Sequence, residues 1–152
     1  MSFEKRLQEL GIMLPEPPKP VASYVPALIA DNFLYLSGML PKKMDGSLYT
    51  GKLGKEAAVE EGYKAAEAAA LNGLSAARQA LGSLDSIERV VKIQGFVASA
   101  EGFTSQPQVL NGASELLIKV FGEAGKHTRI AVGVNELPLN ALVEVDFIFK
   151  IK

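Results

Sequence analysis

Apolar positions recur along this chain first at helical and then at strand spacing, and their order predicts an α+β domain. Phe3, Leu7 and Leu10 fall on one side of a short helix over residues 3–10, which Gly11 stops. Four prolines in Pro15-Glu16-Pro17-Pro18-Lys19-Pro20 then force an extended, semi-rigid spacer. Two strands are predicted over 23–29 and 33–37, joined by a hairpin turn at Asp31-Asn32 and closed by Gly38 and Pro41. Residues 41–54 are turn-rich. The strongest element is a helix over 55–81, in which Ala57, Ala65, Ala66, Ala69, Ala70, Leu74 and Ala77 let the backbone lie close to a sheet; Gly82 is its expected C-cap. A strand over 90–98, a helix over 108–121 and strands over 129–134 and 142–151 complete the pattern.

The order β-β-α-β followed by α-β-β implies a mixed sheet with two helices on one face and the other face free to pack elsewhere. No low-complexity tract divides it, so residues 22–152 read as one domain preceded by the helix and spacer of 1–21. A chain of 152 residues can bury about two thirds of its unfolded surface. Its mean hydropathy of +0.16 is high for a lone domain and points to apolar surface covered by a partner subunit.

Net charge is −1, with no basic stripe to collect phosphates, which argues against nucleic-acid binding. The absence of cysteine removes disulfides, thiolate metal sites and cysteine nucleophiles. The charged N-terminus is not that of a signal peptide, and no apolar run approaches the ~18 residues of a membrane span. A cytoplasmic location without a membrane partner is the expectation.

The stretch from His127 to Val145, in which Arg129 opens a strand, Leu137-Pro138 marks a turn and Glu144 sits between two valines, resembles the signature of the Rid family (YjgF-type, reactive intermediate deaminase). Tyr24 with Ser37-Gly38-Met39-Leu40-Pro41 is similar to that family's N-terminal tyrosine and Ser-Gly-x-x-Pro motif. Asn111-Gly112 through Glu123 looks more like a divergent branch that carries an endoribonuclease label. The resemblance implies a chorismate-mutase-like α+β fold, a homotrimer with clefts between subunits, and no metal or organic cofactor. It also implies hydrolysis of small 2-imino or enamine acids to 2-keto acids and ammonia.

On that resemblance Arg129 and Glu144 are the catalytic candidates. An arginine fork gives a planar carboxylate two parallel charge-assisted hydrogen bonds, and a partly buried carboxyl can place and deprotonate a water. Val143 and Val145 turned to the helices would leave Glu144 on the opposite sheet face. Tyr24 would close the pocket, and Ser37 and Gly38 would act through backbone geometry. Ala131 would offer its N–H, and Asn111 is either a ligand contact or a surface amide. The related deaminases carry cysteine at the place of Ala131 and frequently glutamine at that of Met39. The single histidine, His127, is expected to cap a strand end. A non-catalytic binder of small carboxylates is the competing reading; RNA cleavage is disfavoured by the charge balance and by the single histidine.

Overall fold

The computed structural model describes residues 1–19 and 23–152; Pro20 of the spacer and the predicted boundary between 21 and 22 lie outside the described residues. A five-stranded mixed sheet carries two long helices on one face, as the apolar pattern predicts. In chain order the elements are α1 (Phe3–Glu9), β1 (Ala27–Ala30), β2 (Phe33–Leu36), α2 (Val59–Leu81), β3 (Ile87–Ala98), α3 (Gln106–Phe121), β4 (Thr128–Val134) and β5 (Val143–Ile151). The strands lie in the order β1-β2-β5-β3-β4. Only β3 and β4 run parallel, with Ile93 opposite Arg129 and Gly95 opposite Ala131.

Several boundaries moved for identifiable reasons. The ladder of β1 starts at Ala27 rather than residue 23, because Pro26 accepts from Ser37 N–H but has no N–H to return. The hairpin turn falls at Asp31-Asn32 as expected, with Asp31 at φ 51°. Helix α2 starts at Val59 rather than 55, since Leu53 is fully buried and its backbone is bonded to Ala98 and Ala100, and Gly54 turns the chain at φ +83°. Gly82 caps α2 in the left-handed conformation. Leu10 is the C-cap of α1 and is exposed, not buried with Phe3 and Leu7.

The core lies between the helices and one sheet face. Ala65, Ala66, Ala69, Ala70 and Ala77 of α2 are fully buried, and their small side chains let α2 pack tightly on β5 and α3. At the α2–α3 contact Gly112 has no room for a Cβ, which would collide with the Tyr63 carbonyl. Phe147 and Phe149 stack with centroids 6.1 Å apart, Phe121 lies 6.3 Å from Phe149, and Phe3 packs edge-on against Phe121 at 4.7 Å. Asp85 holds α1 in place: its carboxylate accepts from the Ser2 hydroxyl at 2.8 Å and the Glu4 N–H at 3.3 Å, while Glu4 accepts from Leu84 N–H at 2.9 Å.

The opposite sheet face is open. Register places Leu28, Tyr35, Ile148 and Lys92 in one row, and Val132, Phe96 and Glu144 in another. Leu28 (59%), Ile130 (47%), Tyr35 (41%) and Val132 (39%) are exposed there. Side chains of this size on an uncovered sheet make an apolar surface of the kind that subunits bury. Among the described residues, no helix is long and apolar enough to cross a membrane.

Candidate functional site

The predicted site residues form two groups, one on each face of the sheet. In the first, Arg129 points from edge strand β4 toward α3. Its Nη1 donates to Asn111 Oδ1 at 2.9 Å and to Ser114 Oγ at 3.1 Å, and its Nη2 donates to the Pro107 carbonyl at 3.3 Å. Asn111 is therefore neither a bare surface amide nor an isolated contact: it is half-buried and orients the arginine. A guanidinium has five N–H donors, and these bonds use three of them. Nε–H and one Nη2–H have no partner among the described residues. Ala131, two positions along the strand, lies on the same face and packs partly buried against the core.

His127 immediately precedes β4 but does more than cap it. Its Nδ1 lies 2.6 Å from the Gly125 carbonyl and its Nε2 lies 2.9 Å from Ser114 Oγ. Burial pushes the imidazole below its ordinary pKa near 6.5; the Arg129 charge adds to this, and the Gly125 carbonyl opposes it. Ser114, Ile118, Lys126, His127 and Arg129 line an open hollow of ≈ 380 Å³. Nothing local in the sequence links a mid-helix serine with a histidine 13 residues later, beyond the end of the helix, so this pair was invisible to pattern reading.

The second group gathers where β2 ends beside β5. Val143 and Val145 are fully buried toward the helices, so Glu144 faces the open side, as the alternation implies. Met39 bridges to Val145 through two backbone bonds of 2.7 and 3.0 Å, which brings Gly38 against the Glu144 side chain. A Cβ at Gly38 would collide with Glu144 Oε1, so the space left by this glycine is filled by the glutamate. Ser37 donates its hydroxyl to the Val25 carbonyl at 2.6 Å, and the neighbouring Tyr24 is 59% exposed. Glu144 is half-buried, and burial raises its pKa above the usual carboxylate value, helped by Asp146 on the same face.

Arg129 and Glu144 thus face opposite sides of the sheet, and the hollow beside Arg129 is lined by Ser114, Ile118, Lys126 and His127, without Glu144. Within one chain they are divided by the sheet's own alternation, with Arg129 in register with buried Ile93 and Glu144 with Phe96. Among the described residues, no group of three or more His, Cys, Asp or Glu is placed to hold a metal ion.

A mixed sheet with two helices on one face, an apolar open face, an edge-strand arginine and an alternating Val-Glu-Val strand defines the chorismate-mutase-like class of α+β proteins. The sequence matches the family described as "YjgF/chorismate mutase-like, putative endoribonuclease" over residues 4–151, and the chain belongs to that family. Protein TCP17 of Trypanosoma cruzi is 49% identical over 141 residues, covering 92% of this chain and 88% of that protein. The crystal structure of a "putative endoribonuclease" from Shewanella oneidensis is 35% identical, with a TM-score of 0.94 over 99% of this chain and 100% of its own. RidA from an Antarctic Psychrobacter is 27% identical, with a TM-score of 0.61 over 90% of this chain and 94% of its own.

Proposed function

We propose that the protein hydrolyses small 2-imino or enamine acids to 2-keto acids and ammonia, in clefts completed when copies of the chain, three in the family's expected assembly, bring Arg129 of one against Glu144 of another. The observation that carries this reading is the state of Arg129. Three bonds to α3 fix the guanidinium, while Nε–H and one Nη2–H have no partner among the described residues and remain as donors for a planar carboxylate. Glu144, with its pKa raised by burial, takes a proton from water as the oxygen adds to the imine carbon. Glu144 returns that proton to the nitrogen, and collapse of the carbinolamine, its hydroxyl proton also passing to nitrogen, expels ammonia and leaves the keto acid. Gly38 stands against Glu144, and with Ser37 and Tyr24 it would form the carboxyl's side of the cleft. The apolar open face supports assembly, since it supplies the surface that neighbouring copies would cover.

Turnover is measured by generating 2-iminobutyrate in situ and following its decay. Arg129→Ala loses one or two charge-assisted hydrogen bonds of about 1.5–3 kcal/mol each, hence at least ~10-fold in kcat/KM. Mixing Arg129→Ala with Glu144→Ala subunits after unfolding together then tests the shared cleft. Random assembly gives about a quarter of the clefts one intact arginine and one intact glutamate, so activity returns to roughly that fraction of wild type. An Arg129→Ala protein as fast as wild type removes the mechanism, and a mixture as inactive as its parents removes the shared cleft. Stabilisation by 2-ketobutyrate without turnover of any imine would instead make the protein a carboxylate binder.

A further inference from the structure

We propose that Ser114 and His127 are positioning residues for Arg129: the imidazole orients the Ser114 hydroxyl so that its lone pairs receive the Arg129 Nη1–H, which holds the free edge of the guanidinium in one place. The proposal rests on Arg129 being the carboxylate clamp. It assigns roles to two side chains outside the predicted set.

The Gly125 carbonyl, 2.6 Å from His127 Nδ1, can only accept, so Nδ1 carries the hydrogen. In the neutral ring Nε2 is then a lone pair, and the Ser114 hydroxyl, 2.9 Å away, donates to it. With its hydrogen committed, Ser114 Oγ turns lone pairs toward Arg129 Nη1 at 3.1 Å. Every bond in the chain Arg129 → Ser114 → His127 → Gly125 runs in one direction: the guanidinium cannot accept, the carbonyl cannot donate, and moving the ring hydrogen to Nε2 would set the Nδ1 lone pair against the carbonyl oxygen. Asn111 Oδ1 takes the other Nη1–H at 2.9 Å and the Pro107 carbonyl takes one from Nη2. The guanidinium is thereby held in its plane with Nε–H and Nη2–H remaining for a ligand. Ser114 is 9% exposed, so water does not readily replace the hydroxyl.

The arrangement also sets a condition on the ring. Protonated His127 would have to donate from Nε2 to Ser114 Oγ, which would then face two donors, with a cation placed one hydroxyl away from Arg129. Around the ring stand Arg129 on β4 and Lys126 in the preceding turn, the latter paired with Glu123 at 3.0 Å; α3 presents Ser114 and Ile118. Burial, which keeps the imidazole neutral, works in the same direction.

His127 is the sole histidine, so its ring nitrogens give unambiguous NMR signals in the full-length protein. The expected result is the Nδ1–H tautomer, with resolved Arg129 Nη–H signals near neutral pH. These signals should broaden by exchange in Ser114→Ala and His127→Gln, and in wild type as the ring protonates. Ser114→Thr, which keeps the hydroxyl, should restore them. For 2-ketobutyrate, Ser114→Ala should raise Kd by roughly 3–10-fold, less than the loss of a direct bond to the ligand because Ser114 touches only Arg129, and Ser114→Thr should recover it. An Nε2–H tautomer, or Arg129 signals in Ser114→Ala identical to wild type, overturns the proposal. If 2-ketobutyrate fails to bind wild type while the signals behave as described, the clamp reading falls and the positioning of Arg129 stands.

Discussion

Around Arg129 the chain ties each polar group to another: Asn111, Ser114, His127, Gly125 and Pro107 all belong to one connected set of hydrogen bonds. Around Glu144 the chain supplies a glycine, an apolar row and an exposed tyrosine, and the carboxyl is shaped mainly by burial and by the like charge of Asp146. The first region is organised by its own helix and strand. The second lies on a sheet face whose large apolar side chains remain in contact with water. A group that must bind a fixed planar anion gains from rigidity built in before binding. A group that must exchange a proton gains from surroundings that only a second subunit makes dry. The two halves of the proposed cleft therefore depend on different things, and variants can separate them.

The largest effect is expected from Val132→Glu, which puts a charge on the exposed apolar face beside Phe96. Assembly and turnover should both be lost in sedimentation and 2-iminobutyrate assays, while the Arg129 Nη–H signals persist in the monomer. If those signals vanish as well, the arginine side is not self-contained. Next comes Gly38→Ala, whose methyl group displaces the Glu144 carboxyl; a shift of about 1 Å costs on the order of 10²-fold in kcat, with the far-UV CD spectrum unchanged. Unaltered kcat would show that the carboxyl does not act from this position. Asn111→Ala removes one acceptor from Arg129 and should raise KM by about tenfold with little change in kcat. A change in kcat alone would move Asn111 out of ligand binding.

The smallest effect concerns acid stability. The folded pKa of His127 lies below its unfolded value near 6.5, so the unfolded chain takes up the proton first. The stabilising contribution is complete above that value, declines as pH falls toward the depressed folded pKa, and is gone below it. Thermal melts between about pH 7 and about pH 5 should show a steeper loss of Tm in wild type than in His127→Gln. Parallel curves would mean that the ring titrates alike folded and unfolded.

The order of elements and the face chosen by Glu144 were legible because buried valines flank it in strict alternation. Arg129 was legible as a residue but not as a direction. In Thr128–Val134 the larger apolar side chains, Ile130 and Val132, face outward, while Ala131 and Gly133 lie on the helix side with Arg129. Read for one isolated chain, that strand would be placed with the wrong face inward; its outward bulk is itself the trace of an expected neighbour. The start of α2 was misplaced because Ala57 and Ala58 continue the alanine pattern although Leu53 and Gly54 have already committed the backbone elsewhere. Ser114 and His127 left no trace, since their pairing depends on how α3 meets β4 and not on spacing.

Gly38 and Glu144 divide a single volume between a bare backbone and a long acid. Whatever one position gains in bulk the other must surrender, so a side chain at 38 and a shortened residue at 144 should tolerate each other far better than either substitution alone. Relatives or laboratory variants that abandon the acid are thus free to abandon the glycine, and loss of the pair together would mark a lineage that has given up this chemistry while keeping the fold.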